Sequence, residues 1–141
     1  MMTMLKRLVF ITPLIVTLAA CSPRASFIPE REELPDAVLG TPYFHKVNIV
    51  GGRVIKMKEP VSGKIEPKDS GIYMQNCRLP DRVITDKTTM LVNGNCVEIK
   101  GTPIRTGTVT VTLHGGLYGS MLVSAGSFEK TYRIRIVAGE E

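Results

Sequence analysis

Tryptophan is missing from this chain, and histidine is scarce, with only His45 and His114 present. Cysteine is limited to Cys21, Cys77 and Cys96. Each shortage narrows the chemistry. A zinc site needs about four Cys, His or carboxylate ligands, and neither histidine has a ligand-spaced neighbour. The sequence has no Gly-x-Ser-x-Gly elbow, and no paired-carboxylate pattern frames its serines and histidines, so acyl transfer and glycoside hydrolysis lack their usual groups. Without tryptophan or paired acids, a sugar-binding or hydrolytic site is also poorly supplied. Basic residues never form a block. They stand singly or alternate, as in Arg53-Val-Ile-Lys56-Met-Lys58 and Arg133-Ile-Arg135, a pattern of solvated sheet faces and not of a nucleic-acid surface. The longest apolar run, Leu8 to Ala20, is broken by Pro13 and falls short of the roughly 20 residues a membrane-spanning helix needs.

That apolar run is nevertheless the clearest signal in the sequence. Lys6 and Arg7 precede it, and Ala19-Ala20 end it. A charged start, an apolar core and small residues at a cut site describe a secretory signal peptide over residues 1–20. Leu18-Ala19-Ala20-Cys21 resembles the lipobox of bacterial lipoproteins. The resemblance implies that Cys21 becomes a lipidated N-terminus bearing diacylglyceryl and further acyl (palmitate-type) chains, a permanent anchor where one chain would be reversible. In such lipoproteins the residue after the cysteine influences sorting. Ser22 in place of Asp implies the periplasmic face of an outer membrane, with the inner membrane as the alternative.

Removal of residues 1–20 leaves 121 residues, enough for one domain with its own core. The net charge of +5 falls to +3, because Lys6 and Arg7 leave 16 basic against 13 acidic residues. Residues 21–33 carry two prolines, several charges and no periodicity, and read as a lipidated flexible tether. Residues 139–141 read as a disordered tail. With Cys21 lipidated, Cys77 and Cys96 remain in an oxidising compartment, where a disulfide is expected, two buried free thiols being the alternative.

From Leu34 to residue 138 the pattern is β. Tyr43, His45, Val47 and Ile49 alternate with Phe44, Lys46 and Asn48. Gly51-Gly52 turns the chain into Arg53–Lys58, and Pro60, Gly63 and Pro67 break the next stretch into edge pieces. Asp69-Ser70-Gly71 is a turn before Ile72–Cys77. Short runs at Arg82–Thr85 and Thr88–Val92 follow, and Asn93-Gly94 predicts a hairpin into Cys96–Lys100. Val109, Val111 and Leu113 alternate with threonines over Thr106–His114, and Phe128–Val137 closes the set. Lys130 interrupts the apolar face of that last run and is expected at its solvent end. The prediction is an all-β, Ig-like antiparallel sandwich of about 7–9 strands following a cleaved signal peptide and a short tether.

Specific motifs carry a resemblance for this domain. Leu34-Pro-Asp-Ala-Val-Leu-Gly-Thr-Pro-Tyr43, Ile99-Lys-Gly-Thr-Pro103 and Gly107-Thr-Val-Thr-Val-Thr112 resemble bacterial Ig-like modules related to cadherin and dystroglycan repeats. The resemblance implies a sandwich whose corners are set by glycine and proline. Val109 stands where those modules usually have an aromatic residue, Leu79-Pro80-Asp81 only half matches a second motif, and the acidic calcium clusters are absent. No binding residue, metal or cofactor carries over.

The sequence thus points to a membrane-anchored, non-enzymatic binding or adaptor module whose partner is another envelope protein, with no nucleic acid and no small-molecule substrate. The alternative is a structural lipoprotein subunit of a larger secretion, conjugation or pilus assembly. Gly115–Ser127 reads as a mobile loop. Its Leu117, Tyr118, Met121 and Leu122 are candidate partner contacts, or alternatively a buried flap. His45 is expected to be a partly buried, hydrogen-bonded residue and His114 a turn residue at a strand end.

Overall fold

The computed structural model describes residues 23–55, 62–121 and 125–140. The expected signal peptide (1–20), the expected lipidation and sorting residues Cys21 and Ser22, and the candidate contact Leu122 lie outside the described residues. Eight strands appear among them: β1 (Ser26–Ile28), β2 (Ala37–Val38), β3 (Tyr43–Val50), β4 (Ser62–Glu66), β5 (Ile72–Arg78), β6 (Val92–Gly101), β7 (Gly107–Leu117) and β8 (Gly126–Val137). They form two four-stranded sheets, β1-β3-β6-β5 and β2-β8-β7-β4. This is the strand order of an immunoglobulin-type sandwich, with the first strand divided between the two sheets. Every pairing is antiparallel except β2 with β8, which is parallel, so the second sheet is mixed.

The alternation that predicted the strands also builds the core. Val47 and Ile49 of β3, Val97 and Ile99 of β6, Val109, Val111 and Leu113 of β7, and Tyr132, Ile134 and Ile136 of β8 are all buried between the sheets. Burial of each such side chain contributes on the order of 1.5–3 kcal/mol. The longest pairing is the β7–β8 hairpin, in register from Gly107 opposite Ile136 to Leu117 opposite Gly126.

Several sequence expectations fail at particular places. Asn93-Gly94 is no hairpin turn. Both residues lie inside β6, and Gly94 does not adopt the positive φ such a turn requires. Asn76 faces Val97 while Cys77 faces Asn93, so residues 94–96 bulge out against one step of β5. The Asn76 amide bridges the bulge, donating to the carbonyls of Asn93 at 3.4 Å and Cys96 at 3.1 Å. The Cys77–Cys96 disulfide, 19 positions apart in sequence, fastens the same place. A loop of that size is stabilised by about 3 kcal/mol in the chain-entropy model. Arg82–Thr85 is not a strand, and of Thr88–Val92 only Val92 is, as the first residue of β6; a 3-10 turn, Asp81–Val83, opens the connection that leads back to it.

Gly115–Leu117 is strand as well. The Phe128 ring lies over Gly115, where a Cβ would collide with it, and Ile55 lies over Gly116. The two glycines therefore make room for neighbouring side chains in a continuous β7. His114, expected in a turn, is consequently mid-strand, with Nδ1 3.2 Å from a Glu129 carboxylate oxygen. Lys130 does not end in open solvent. Its Nζ donates to the Glu30 carbonyl at 2.6 Å and lies 5.8 Å from the Phe27 ring and 5.3 Å from the Tyr132 ring.

The largest departure concerns the tether. From Pro23 onward the chain is folded onto the sandwich. β1 pairs with β3, with Ser26 opposite Val50. The chain then changes sheets, and Glu33 bridges to Arg133 ahead of the β2–β8 pairing. Tyr132 donates from its hydroxyl to the Pro29 carbonyl at 2.7 Å, and Arg133 ion-pairs with Glu32 at 3.0 Å and Glu33 at 2.6 Å. Arg135 likewise ion-pairs with Asp36 at 2.5 Å. Composition alone suggested a linker here. Partners on two sides override it, β3 some 20–24 residues downstream and β8 about 100.

Candidate functional site

The sandwich has two ends of different construction. At one end the two Gly-Thr-Pro motifs meet: the Gly40 amide donates to the Pro103 carbonyl at 2.9 Å, and Tyr43 stands opposite Gly101. The Ile104 amide donates to the Ser70 carbonyl at 3.0 Å, and the Leu39 amide to the Val137 carbonyl at 2.9 Å. Ser70 is buried, and its hydroxyl oxygen accepts from the Ile72 amide at 3.2 Å. Gly71 (φ +87°) and Gly101 (φ +129°) let the backbones cross in direct contact; a Cβ on either would strike a backbone carbonyl of the opposite segment.

At the other end lie Pro23 and Arg24, the 51–53 turn, the 94–96 bulge and the β7–β8 connection. Asn95 ties this end together from one side chain. Its Nδ2 donates to the carbonyls of Ile49 at 2.9 Å and Gly52 at 2.7 Å, while its Oδ1 accepts from the Val54 amide at 3.1 Å.

The predicted contact residues of the β7–β8 connection separate here. Leu117 is 1% exposed, and Gly52 packs against its side chain, so it is part of the core. Tyr118 is half-exposed and Met121 fully exposed. The buried-flap reading therefore fits Leu117 and not its two exposed neighbours.

The sequence reading did not single out the outer face of the first sheet. There Phe44, Lys100 and Tyr73 stand in one row across β3, β6 and β5. Phe44 is 59% and Tyr73 50% exposed, and the Lys100 ammonium lies 6.0 Å from the Tyr73 ring centroid. Two strand spacings place the aromatic side chains about 10 Å apart. The next row holds Lys46, Glu98 and Gln75, in which Glu98 accepts from Gln75 and from Lys100, both at 3.2 Å. The available signal was an aromatic residue on the polar side of each alternation, Phe44 among Lys46 and Asn48, and Tyr73 beside Gln75.

Tyr73 also borders a groove of about 540 Å³ between the edges of β4 and β5, lined by Ile65, Ile72, Met74, Lys64 and Lys68. Met74 reaches across to Gly63 of β4, which has no side chain in its way. The edges flanking the groove differ. β4 is short, carries the Lys64–Glu66 ion pair and ends at Pro67. β5 has seven residues, no proline and Arg78 as its only charge.

His45 and His114 stand in different sheets, on β3 and β7. His45 points inward as expected, but its Nε2 is buried without a hydrogen-bond partner. Desolvation holds its pKa below the ordinary histidine value. Among the described residues no group of three or more His, Cys, Asp or Glu is placed to hold a metal ion. None of their helices is long and apolar enough to cross a membrane. Compared with family models, with curated proteins and with solved structures, the chain matches none.

Proposed function

We propose that this chain is a lipid-anchored protein of a bacterial envelope, a single Ig-like module that works without catalysis as an adaptor for another envelope protein. The lipobox-like Leu18-Ala19-Ala20-Cys21 supports the anchor, and Ser22 supports the outer membrane over the inner. One observation carries the adaptor half of the reading. The Phe44–Lys100–Tyr73 row runs into the groove beside β5, giving one continuous surface with exposed aromatics, a flexible methionine and an open strand edge. Aromatic residues and methionine are the types enriched where proteins bind one another, and an unguarded edge can accept a partner's extended segment.

The test is co-purification from crosslinked membranes, comparing the native chain with Phe44→Ala/Tyr73→Ala and with Cys21→Ala. Both aromatic side chains are exposed, so their removal is expected to leave the melting temperature within about 2 °C of the native protein. A specific partner captured by the native chain and lost by the double variant is the expected result. Undiminished capture by the double variant refutes this surface as the contact.

The second reading, a structural subunit of a larger secretion, conjugation or pilus assembly, is favoured by β5 itself. Ahead of the bulge at Asn76/Cys77 and the charge of Arg78, the Ile72–Gln75 part of this edge carries no proline and no charged residue, so little there stops strands from pairing between molecules. Size-exclusion after mild detergent extraction separates the readings: a large stoichiometric complex supports the subunit, and a free monomer argues against it.

A further inference from the structure

The lipidated residue and the folded domain are separated by almost no chain. Cys21 precedes Pro23 by two positions, which span at most about 7 Å. From Pro23 on there is no slack. The Pro23 carbonyl lies against Gly126, the Arg24 carbonyl against Gly51, and β1 begins at Ser26. All three contacts belong to the end of the sandwich that carries the β7–β8 connection.

That end has a matching surface. Met121 is fully exposed, Tyr118 and Leu91 are nearly half-exposed, and Arg24 and Arg53 are exposed with no ion pair among the described residues. Apolar and tyrosine side chains beside arginines suit the boundary between headgroups and acyl chains, where tyrosine accumulates and cations meet anionic lipid.

We infer that this end of the sandwich, marked by Tyr118, Met121, Leu91, Arg24 and Arg53, lies on the headgroup surface of the anchoring bilayer and sets the domain upright. The inference rests on the lipid-anchor reading above. β7 has eleven residues, so at roughly 3.3 Å per residue the Gly-Thr-Pro end stands about 35 Å from the lipid. Phe44 and Tyr73, which stand near that far end, are then held away from the membrane and open to a partner. Tyr118 and Met121, candidate protein contacts in the sequence, become lipid contacts.

The experiment uses the full-length mature protein, purified with its lipid and reconstituted into phosphatidylethanolamine–phosphatidylglycerol vesicles that carry a headgroup-attached quencher. Met121→Cys and Ile104→Cys are each labelled with a fluorophore, Ile104 being exposed at the opposite end. The label at 121 is expected to be quenched several-fold more than the label at 104, and Arg24→Glu/Arg53→Glu to reduce that ratio. Equal quenching at 121 and 104 in an acylated protein overturns the orientation while leaving the anchor intact. A ratio unchanged by the arginine substitutions removes the anionic-lipid contact from the proposal. A mass spectrum without acyl chains overturns the anchor reading, and the orientation falls with it.

Discussion

At the Gly-Thr-Pro end, four chain segments are joined backbone to backbone, through glycines that allow direct contact. The Pro23 end also has backbone bonds, from the Ile55 amide to the Gly116 carbonyl at 2.8 Å and from the Tyr118 amide to the Arg53 carbonyl at 2.9 Å, but there side chains add a second set of ties: Asn95 with its three bonds, the Asn76 amide across the bulge, and the Cys77–Cys96 disulfide close by. The difference shows how one sandwich can separate two tasks. Backbone contacts fix a geometry that few substitutions can enter. Side-chain contacts leave the surrounding loops free to carry exposed residues such as Tyr118 and Met121.

Substitution should therefore cost most at the first end. Gly101→Ala places a Cβ against the Gly71 carbonyl at a φ of +129°, with no flexible side chain to give way. A loss of about 3 kcal/mol or more is expected, read as a lower urea midpoint with an unchanged slope. A near-native midpoint would mean that the backbones at this end can separate cheaply, and the contrast would collapse. Asn95→Ala tests the other end. It leaves the Val54 amide and two carbonyls without their partner, at a cost of about 2 kcal/mol. The loss should fall first on the 51–54 and 93–95 segments, as faster amide exchange there than around Gly40 and Ile104. Uniform acceleration through the whole domain would show that the ends are not independent.

The smallest effect comes from His45. Its folded pKa is depressed from the ordinary 6.5 by burial, so below that pH the unfolded chain binds a proton that the folded chain resists. Stability is fully present above pH 6.5 and falls as the pH drops toward the lowered folded value. Thermal melts between pH 7.5 and 5 should show this decline, and His45→Leu should flatten it. An equal decline in the variant would assign the effect to other groups.

The regions that the sequence revealed and concealed follow the same division. Val109, Val111, Leu113, Tyr132, Ile134 and Ile136 repeat at the strand period, and each was assignable from its own neighbours. The Gly-Thr-Pro corners were also local, since glycine and proline set their own backbone geometry. Asn93-Gly94 has the composition of a hairpin turn, but the decisive partners are Cys77, Asn76 and β3, which no short window contains. Gly115-Gly116 resembles a flexible loop until Phe128 and Ile55 are seen to occupy the missing side-chain volume. Residues 23–33 lack any period because their order comes from β3 at one side and Arg133 at the other.

The early change of sheet by the N-terminal segment has a mechanical meaning. Ser26 sits at the Pro23 end of the β1–β3 pairing, and the segment continues into β2 alongside β8. A pull on the chain ahead of Pro23, directed away from that end, runs along these strands and not across them. Bonds stressed in that direction must yield together, first those to one sheet and then those to the other, where a perpendicular pull would open them one at a time. The molecule is arranged to resist tension from its N-terminal side.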